Sequence, residues 1–217
     1  MRSLLLLLVL LTGCAGTYTP PPEYSLMPAE KNLTCEPPAW SVAGEPMGLR
    51  QTVFLEAGGQ TRMVQGLMLI DQSRQKVQVM GMSEMGMKIF DVSVTRQGHE
   101  NHFLSPVMNS RKEDMAGQIA LSARRIFLSF EATGDFNSYA GPESILMINS
   151  QDSKQIVHGC LRDGRVLTEA FCADGQWNVK YADYQLINGF YLPVRITYHD
   201  RRTGYNLILV LHEVFKK

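Results

Sequence analysis

The forty residues "GQWNVKYADYQLINGFYLPVRITYHDRRTGYNLILVLHEV", Gly175 to Val214, decide the fold. Trp177, Val179 and Tyr181 fall at every second position, with Asn178 and Lys180 between them. Leu192, Val194, Ile196 and Tyr198 oppose Arg195 and Thr197 in the same way. A period of two means strands whose alternate side chains point to opposite faces, one apolar and one polar. Asn188-Gly189 and Gly204 stand where short hairpin connections need residues that tolerate positive φ.

The same grammar extends toward the N-terminus. Strand-like segments are predicted at about 49–57, 61–71, 75–82, 87–95, 99–104, 144–149, 154–161, 165–171, 176–184, 191–199 and 205–214. Phe90, Val92 and Val94, for example, alternate with Asp91 and Ser93. One segment departs from the pattern. Ser110-Arg111-Lys112-Glu113 reads as a capping box. Behind it Met115, Ile119, Ser122, Ala123, Ile126, Phe127 and Phe130 recur at helical spacing, and Gly134 can end the helix. Arg124 and Arg125 are expected on its solvated face. The fold class is therefore mainly β, in the α+β sense. A half-open antiparallel barrel of about eleven strands carries the helix as a lid over an apolar cavity.

The chain opens Met1-Arg2-Ser3 and runs apolar from Leu4 to Leu11. That run is shorter than the roughly 20 residues a permanent span needs, and it fits the core of a secretory signal. Leu11-Thr12-Gly13-Cys14 follows at once and resembles a bacterial lipobox. The resemblance implies cleavage before Cys14 and acylation of Cys14 by chains such as palmitate. Ala15 after the cysteine implies the outer membrane. Residues 15–38, with "TPPP" and "EPP", read as an extended tether. The organisation expected is a signal peptide at 1–13, a lipidated cysteine and flexible tether at 14–38, and one domain at 39–217.

Loss of residues 1–13 removes only Arg2, leaving 20 basic against 21 acidic residues. That balance gives no reason to expect nucleic acid as a partner. With Cys14 consumed by lipid, Cys35, Cys160 and Cys172 remain, and a bridge between Cys160 and Cys172 across the Asp163-Gly164 turn is the candidate. Pairing of Cys35 with either stays open.

The chain carries no Gly-x-Ser-x-Gly elbow, no His-Glu-x-x-His and no paired-cysteine zinc motif, so no enzyme and no cofactor is expected. "VMGMSEMGMKIF", Val79 to Phe90, places methionines at 80, 82, 85 and 87. Thioethers are soft ligands suited to Cu(I), and His99 and His102 lie near in sequence. Methionine also makes adaptable apolar surface, which is the reading preferred here. A metal-free assembly lipoprotein with a filled interior is the other alternative.

"VQVMGMSEMGMKIFDVSV", Val77 to Val94, is similar to a hairpin of the LolA/LolB-like outer-membrane lipoprotein superfamily. Gly175 to Val214 is similar to that superfamily's C-terminal meander, and the lipobox and mid-chain helix also fit. The resemblance implies a half-open barrel that holds acyl chains, in a monomer anchored on the periplasmic face of the outer membrane. It also implies lipid or lipoprotein transfer, with acylated cargo received from a periplasmic carrier. Met85 matches the apolar residue that projects toward the membrane, although Glu84 replaces the family's proline. The expected cavity residues are Met80, Met82, Phe90, Val92, Ile119, Phe127, Trp177, Tyr181, Val194 and Ile196, with Tyr184 at the rim.

Overall fold

A computed structural model describes residues 17–27, 35–36, 38–57, 59–106, 115–130, 136–151, 154–162 and 166–216. The signal segment, Cys14, the capping box at 110–113, Gly134 and the turn at 163–164 lie outside them. Thirteen strands of the described residues form one sheet. They are β1 (Ser25–Leu26), β2 (Met47–Ala57), β3 (Gln60–Asp71), β4 (Lys76–Met82), β5 (Lys88–Thr95), β6 (His99–Leu104) and β7 (Phe136–Ala140). They continue as β8 (Ser144–Gln151), β9 (Lys154–Leu161), β10 (Leu167–Cys172), β11 (Trp177–Ile187), β12 (Phe190–Asp200) and β13 (Tyr205–Lys216).

The spatial order is β1-β7-β8-β9-β10-β11-β12-β13-β2-β3-β4-β5-β6, so the sheet stays open between β1 and β6. Neighbouring strands pair antiparallel throughout, as a meander requires. Eleven strands coincide with the predicted segments. β1 and β7 are additional.

Register lines apolar residues up in rows on the inner face, one over β11–β2 and another over β2–β5. Val179 faces Tyr198, Tyr198 faces Leu207, and Leu207 faces Leu55. Leu49 faces Met68, Met68 faces Val79, and Val79 faces Val92. These side chains share one buried cluster with a single long helical element. That element is α2 (Met115–Ala123), which continues as a π-turn at Arg124–Leu128. All seven residues of its predicted stripe are buried. A short helix, α1 (Ala39–Val42), brings Trp40 into the same core. The result is a half-open barrel with a helical lid.

Three expectations change. First, part of the tether is bound to the domain: β1 pairs with β7, and Cys35 is bonded to Cys160. Second, that bond replaces the Cys160–Cys172 bridge. Cys160 lies beside Leu167 and Cys172 beside Ile156, so the two cysteines sit at opposite ends of the β9–β10 ladder. Four residues of strand separate them along β9, about 13 Å, whereas a bridge needs Cα atoms closer than about 7 Å. Cys172 is buried outside the disulfide. Third, Arg124 and Arg125 are clamps rather than a solvated face. Arg124 donates to the carbonyls of Thr95 (2.8 Å) and Gly98 (3.0 Å), and Arg125 reaches Asp200.

Candidate functional site: a cavity beside the methionine turn

β4 and β5 are joined by the sequence Ser83-Glu84-Met85-Gly86-Met87. Gly86 N–H donates to Ser83 O at 2.9 Å, and Ser83 N–H donates to Met87 O at 2.8 Å. Ser83 Oγ accepts the Met87 amide at 3.1 Å. Gly86 has φ +76°, the left-handed residue that lets a tight turn rejoin a hairpin through a bulge. The register indeed shifts between Gly81 and Met82. The turn is thus held in shape by its own backbone and the Ser83 hydroxyl. Its outermost residue, Met85, is 81% exposed, and Met87 is 59% exposed.

Beneath this turn lies a cavity of about 500 Å³, within the 300–1,000 Å³ typical of small-molecule sites. Val53, Leu55, Val64, Phe90, Ile119 and Leu207 supply its apolar wall. Ser83, Met87 and Lys88 line it from the hairpin, and Arg62 is the other charged residue on its surface. Lys88 Nζ is held 2.8 Å from Asp91. Burial works to raise the Asp91 carboxyl, but hydrogen bonds from Gln78 and Lys88 outweigh it and keep the group below its ordinary value. The ammonium therefore remains paired at the surface while the wall behind it stays apolar.

Of the residues predicted for a cavity, Phe90 and Ile119 line this one. Val92, Phe127, Trp177, Tyr181 and Ile196 are buried in the packed core. Val194 borders a much smaller void under Trp40. Met80 and Met82 belong to the opposite face of the sheet. Val77 and Val79 point inward, so the period of two turns Met80 outward, opposite Leu67. The inward position beside them is Gly81, and the Phe90 ring lies where a Cβ on Gly81 would stand. Tyr184 is half-buried, tilted against Tyr191 with ring centres 5.3 Å apart, and its hydroxyl donates to Leu167 O. It lies far from the cavity, at the β11–β12 hairpin.

The wall residues that sequence reasoning missed, Val53, Leu55, Val64 and Leu207, come from β2, β3 and β13. Alternation within these strands carries the signal. Gln51, Val53 and Leu55 share one face of β2, but nothing local says which end of that face is left uncovered by the lid.

The middle of the half-barrel is filled. Trp40 packs edge-on against Phe127, with centres 5.6 Å apart, and tilted against Tyr181 at 5.9 Å. Tyr181 donates its hydroxyl to Ile126 O at 2.8 Å, and burial pushes its phenol well above the ordinary value. It is an uncharged strut. Among the described residues no group of three or more His, Cys, Asp or Glu side chains gathers as a metal site requires. His102 is engaged with Ser93 Oγ at 2.9 Å.

No protein-family model and no curated protein matches the chain. Solved structures do. A LolA superfamily protein of Nitrosomonas europaea aligns with TM-score 0.50 and 13% identity, over 80% of this chain and 86% of its own. A Vibrio parahaemolyticus domain, provisionally assigned to outer membrane lipoprotein sorting, aligns at 0.52 and 9% identity, over 82% and 88%. A DUF1329 family protein of Desulfovibrio piger aligns at 0.53 and 7% identity, also over 82% and 88%. At such identities the likeness is one of fold, and the fold is LolA/LolB-like.

Proposed function

We propose that this LolA/LolB-like fold serves a lipid-anchored protein on the periplasmic face of the outer membrane, where it shelters an acyl chain and passes it to the bilayer. The observation that carries this reading is the apolar cavity of about 500 Å³ lying directly under a projecting methionine turn. Hydrocarbon leaving the cavity would pass Met87 and Met85, both able to repack around differently shaped chains. No covalent chemistry is needed. Each buried methylene contributes roughly 0.8 kcal/mol, so direction comes from the difference in affinity between donor, cavity and membrane. Acylation at Cys14 supplies the anchor, and a periplasmic carrier supplies the cargo.

The experiment is mass spectrometry of organic extracts from gently purified native protein. Co-purified acyl lipids in a fixed ratio to protein are expected, together with saturable binding of a fluorescent fatty acid. Extracts without lipid and no saturable binding would sink the proposal. They would favour an assembly lipoprotein instead, a reading supported by the Trp40, Phe127 and Tyr181 packing that fills the middle of the half-barrel. Copper is disfavoured because Met80 and Met87 belong to different surfaces of the hairpin.

A further inference from the structure

The N-terminal segment is bound along the outer face of the sheet. Tyr18 N–H donates to Gln155 Oε1 at 2.6 Å, and the Tyr18 ring meets Phe171 edge-on at 5.5 Å. Tyr18 and Tyr24 pack on an outer-face cluster of Leu146, Ile148 and Val157. Tyr24 hydroxyl pairs with Ser144 Oγ, Met27 N–H donates to Ser138 O, and β1 lies against β7. Cys35, further along, is bonded to Cys160. A segment with the composition of a linker is a strap.

The strap begins at a definite place. Gln155 O accepts the Ala173 amide, where β10 turns into β11. Gln176 O accepts the Arg201 amide, which joins that turn to the β12–β13 turn. Asn206 then faces Glu56, next to the β2–β3 turn. In an antiparallel meander alternate turns share one end of the sheet. By the same rule the β4–β5 turn carrying Met85 lies at this end, and the β11–β12 turn at Asn188-Gly189 lies at the other. Exposed apolar residues stand at both ends. Met63, Met85 and Met87 stand at the first, and Leu186 and Tyr191 at the second, with Leu161 and Phe215 also there.

Three residues of chain lead from Cys14 to Thr17, a reach of at most about 11 Å at 3.6 Å per residue. We infer that the strap sets the stance of the domain on a lipid bilayer. It brings the anchor out at the end that carries Met85, so that acyl anchor and methionine turn enter the same leaflet while the Leu186–Tyr191 hairpin points away. This rests on the anchoring proposed above. A free tether of the same length would let either end face the membrane. A strap leaves one. Glu84, exposed beside Met85, confines entry to the interface, since a carboxylate is costly in hydrocarbon.

The test uses the full acylated protein in phosphatidylethanolamine–phosphatidylglycerol vesicles containing a lipid with a diazirine on its acyl chain. After illumination, labelled peptides are mapped by mass spectrometry, and the intact mass of the mature chain is read in parallel. Labelling of the Met85–Met87 peptide at least tenfold above the Leu186–Tyr191 peptide is expected. The Tyr18→Ala/Tyr24→Ala protein, whose chain from Cys14 to Ser25 could then extend up to about 40 Å, should show that ratio falling toward one with acylation unchanged. Equal labelling of both ends in the native chain, or a ratio insensitive to the double substitution, overturns the stance alone. An unmodified Cys14 overturns the anchoring and the stance with it, and the mass shows which has failed.

Discussion

Arg125 Nη1 stands 2.6 Å from Asp200 Oδ2, joining the π-turn of the lid to the end of β12. The same nitrogen donates to the Tyr198 hydroxyl at 2.6 Å, and the guanidinium lies 5.1 Å from the centre of the Trp177 ring. Asp200 Oδ1 accepts the amides of Arg202 and Thr203, so both carboxylate oxygens are satisfied. Burial works to raise the Asp200 carboxyl, but Arg125 and these amides outweigh it and hold it below its ordinary value. Burial also pushes the Tyr198 phenol up to about 12.

Removing one partner of such a pair strands the other without a counter-charge. Arg125→Met and Asp200→Asn should each destabilise the domain by about 3–5 kcal/mol, read as a lowered urea midpoint. The double variant should cost less than the sum of the two. Because the folded carboxyl is depressed, its contribution is fully present above the unfolded value and lost as pH falls through the folded one, below about 3.8. In Arg125→Met that acid-limb loss should be weaker.

The Cys35–Cys160 bond spans a sequence separation of 125 residues and fastens the chain between β1 and α1 to β9. Removing a bridge of this kind costs about 2–5 kcal/mol. Cys160→Ser should therefore lower the thermal midpoint and leave Cys35 alkylatable on unfolding in urea without reductant, as it is not in the parent. Cys172→Ser should leave the disulfide intact in a non-reducing peptide map. A Cys160–Cys172 peptide in that map would contradict the pairing.

Most of the eleven predicted strands were legible because a half-buried segment writes its own period of two, whereas β6, exposed at nearly every residue, is marked by the Gly98 turn before it. β7, Phe-Asn-Ser-Tyr-Ala, was not legible, since Ser138 occupies an inward, buried position and breaks the alternation. β1 is two residues long and owes its conformation to β7. Period alone also leaves open which face is inside. Met80 and Met82 follow the sequence rhythm correctly yet face outward, because the inner row is set by Val77 and Val79 pairing across β3 and β5. The strap and the disulfide depend on contacts more than a hundred residues apart, Tyr18 with Gln155 and Cys35 with Cys160, which no local pattern encodes.

His158 points into the core with its Nε2 buried and unpartnered, and its ring meets Phe130 edge-on at 5.3 Å. Burial pushes its pKa down from 6.5 to about 4. The unfolded chain takes up this proton near pH 6.5, and the folded one only near 4. Stability is therefore full above about pH 6.5 and falls as pH drops toward 4, by about 3 kcal/mol at 1.36 kcal/mol per unit. His158→Met should flatten that decline in urea titrations between pH 7 and 4, and raise stability at pH 5. An unchanged slope would assign the decline to other groups.

Phe90 lines the cavity, and its ring occupies the space a side chain at Gly81 would need. Gly81→Ala must displace Phe90, and the open direction is the cavity itself. Forced repacking of this kind costs about 1–3 kcal/mol. The variant should also bind a fluorescent fatty acid more weakly, while Met80→Ala on the outer face should not. Equal binding by Gly81→Ala would place the ligand elsewhere.

Met85 separates binding from delivery. Its side chain is at the turn's apex and is absent from the cavity wall, so a charge there leaves the wall unaltered. The turn itself is held by Ser83 and Gly86 and does not depend on the residue between them. Met85→Glu should therefore keep the affinity for a fluorescent fatty acid and the thermal midpoint of the parent. Transfer of that fatty acid to vesicles should slow by tenfold or more, because a carboxylate at a membrane-entering apex costs about 2.5–3.5 kcal/mol on insertion scales, with less at interfacial depth. Met85→Leu should transfer as the parent does. If the glutamate variant delivers cargo at the parental rate, the turn has no part in transfer, and the cavity must empty by another route.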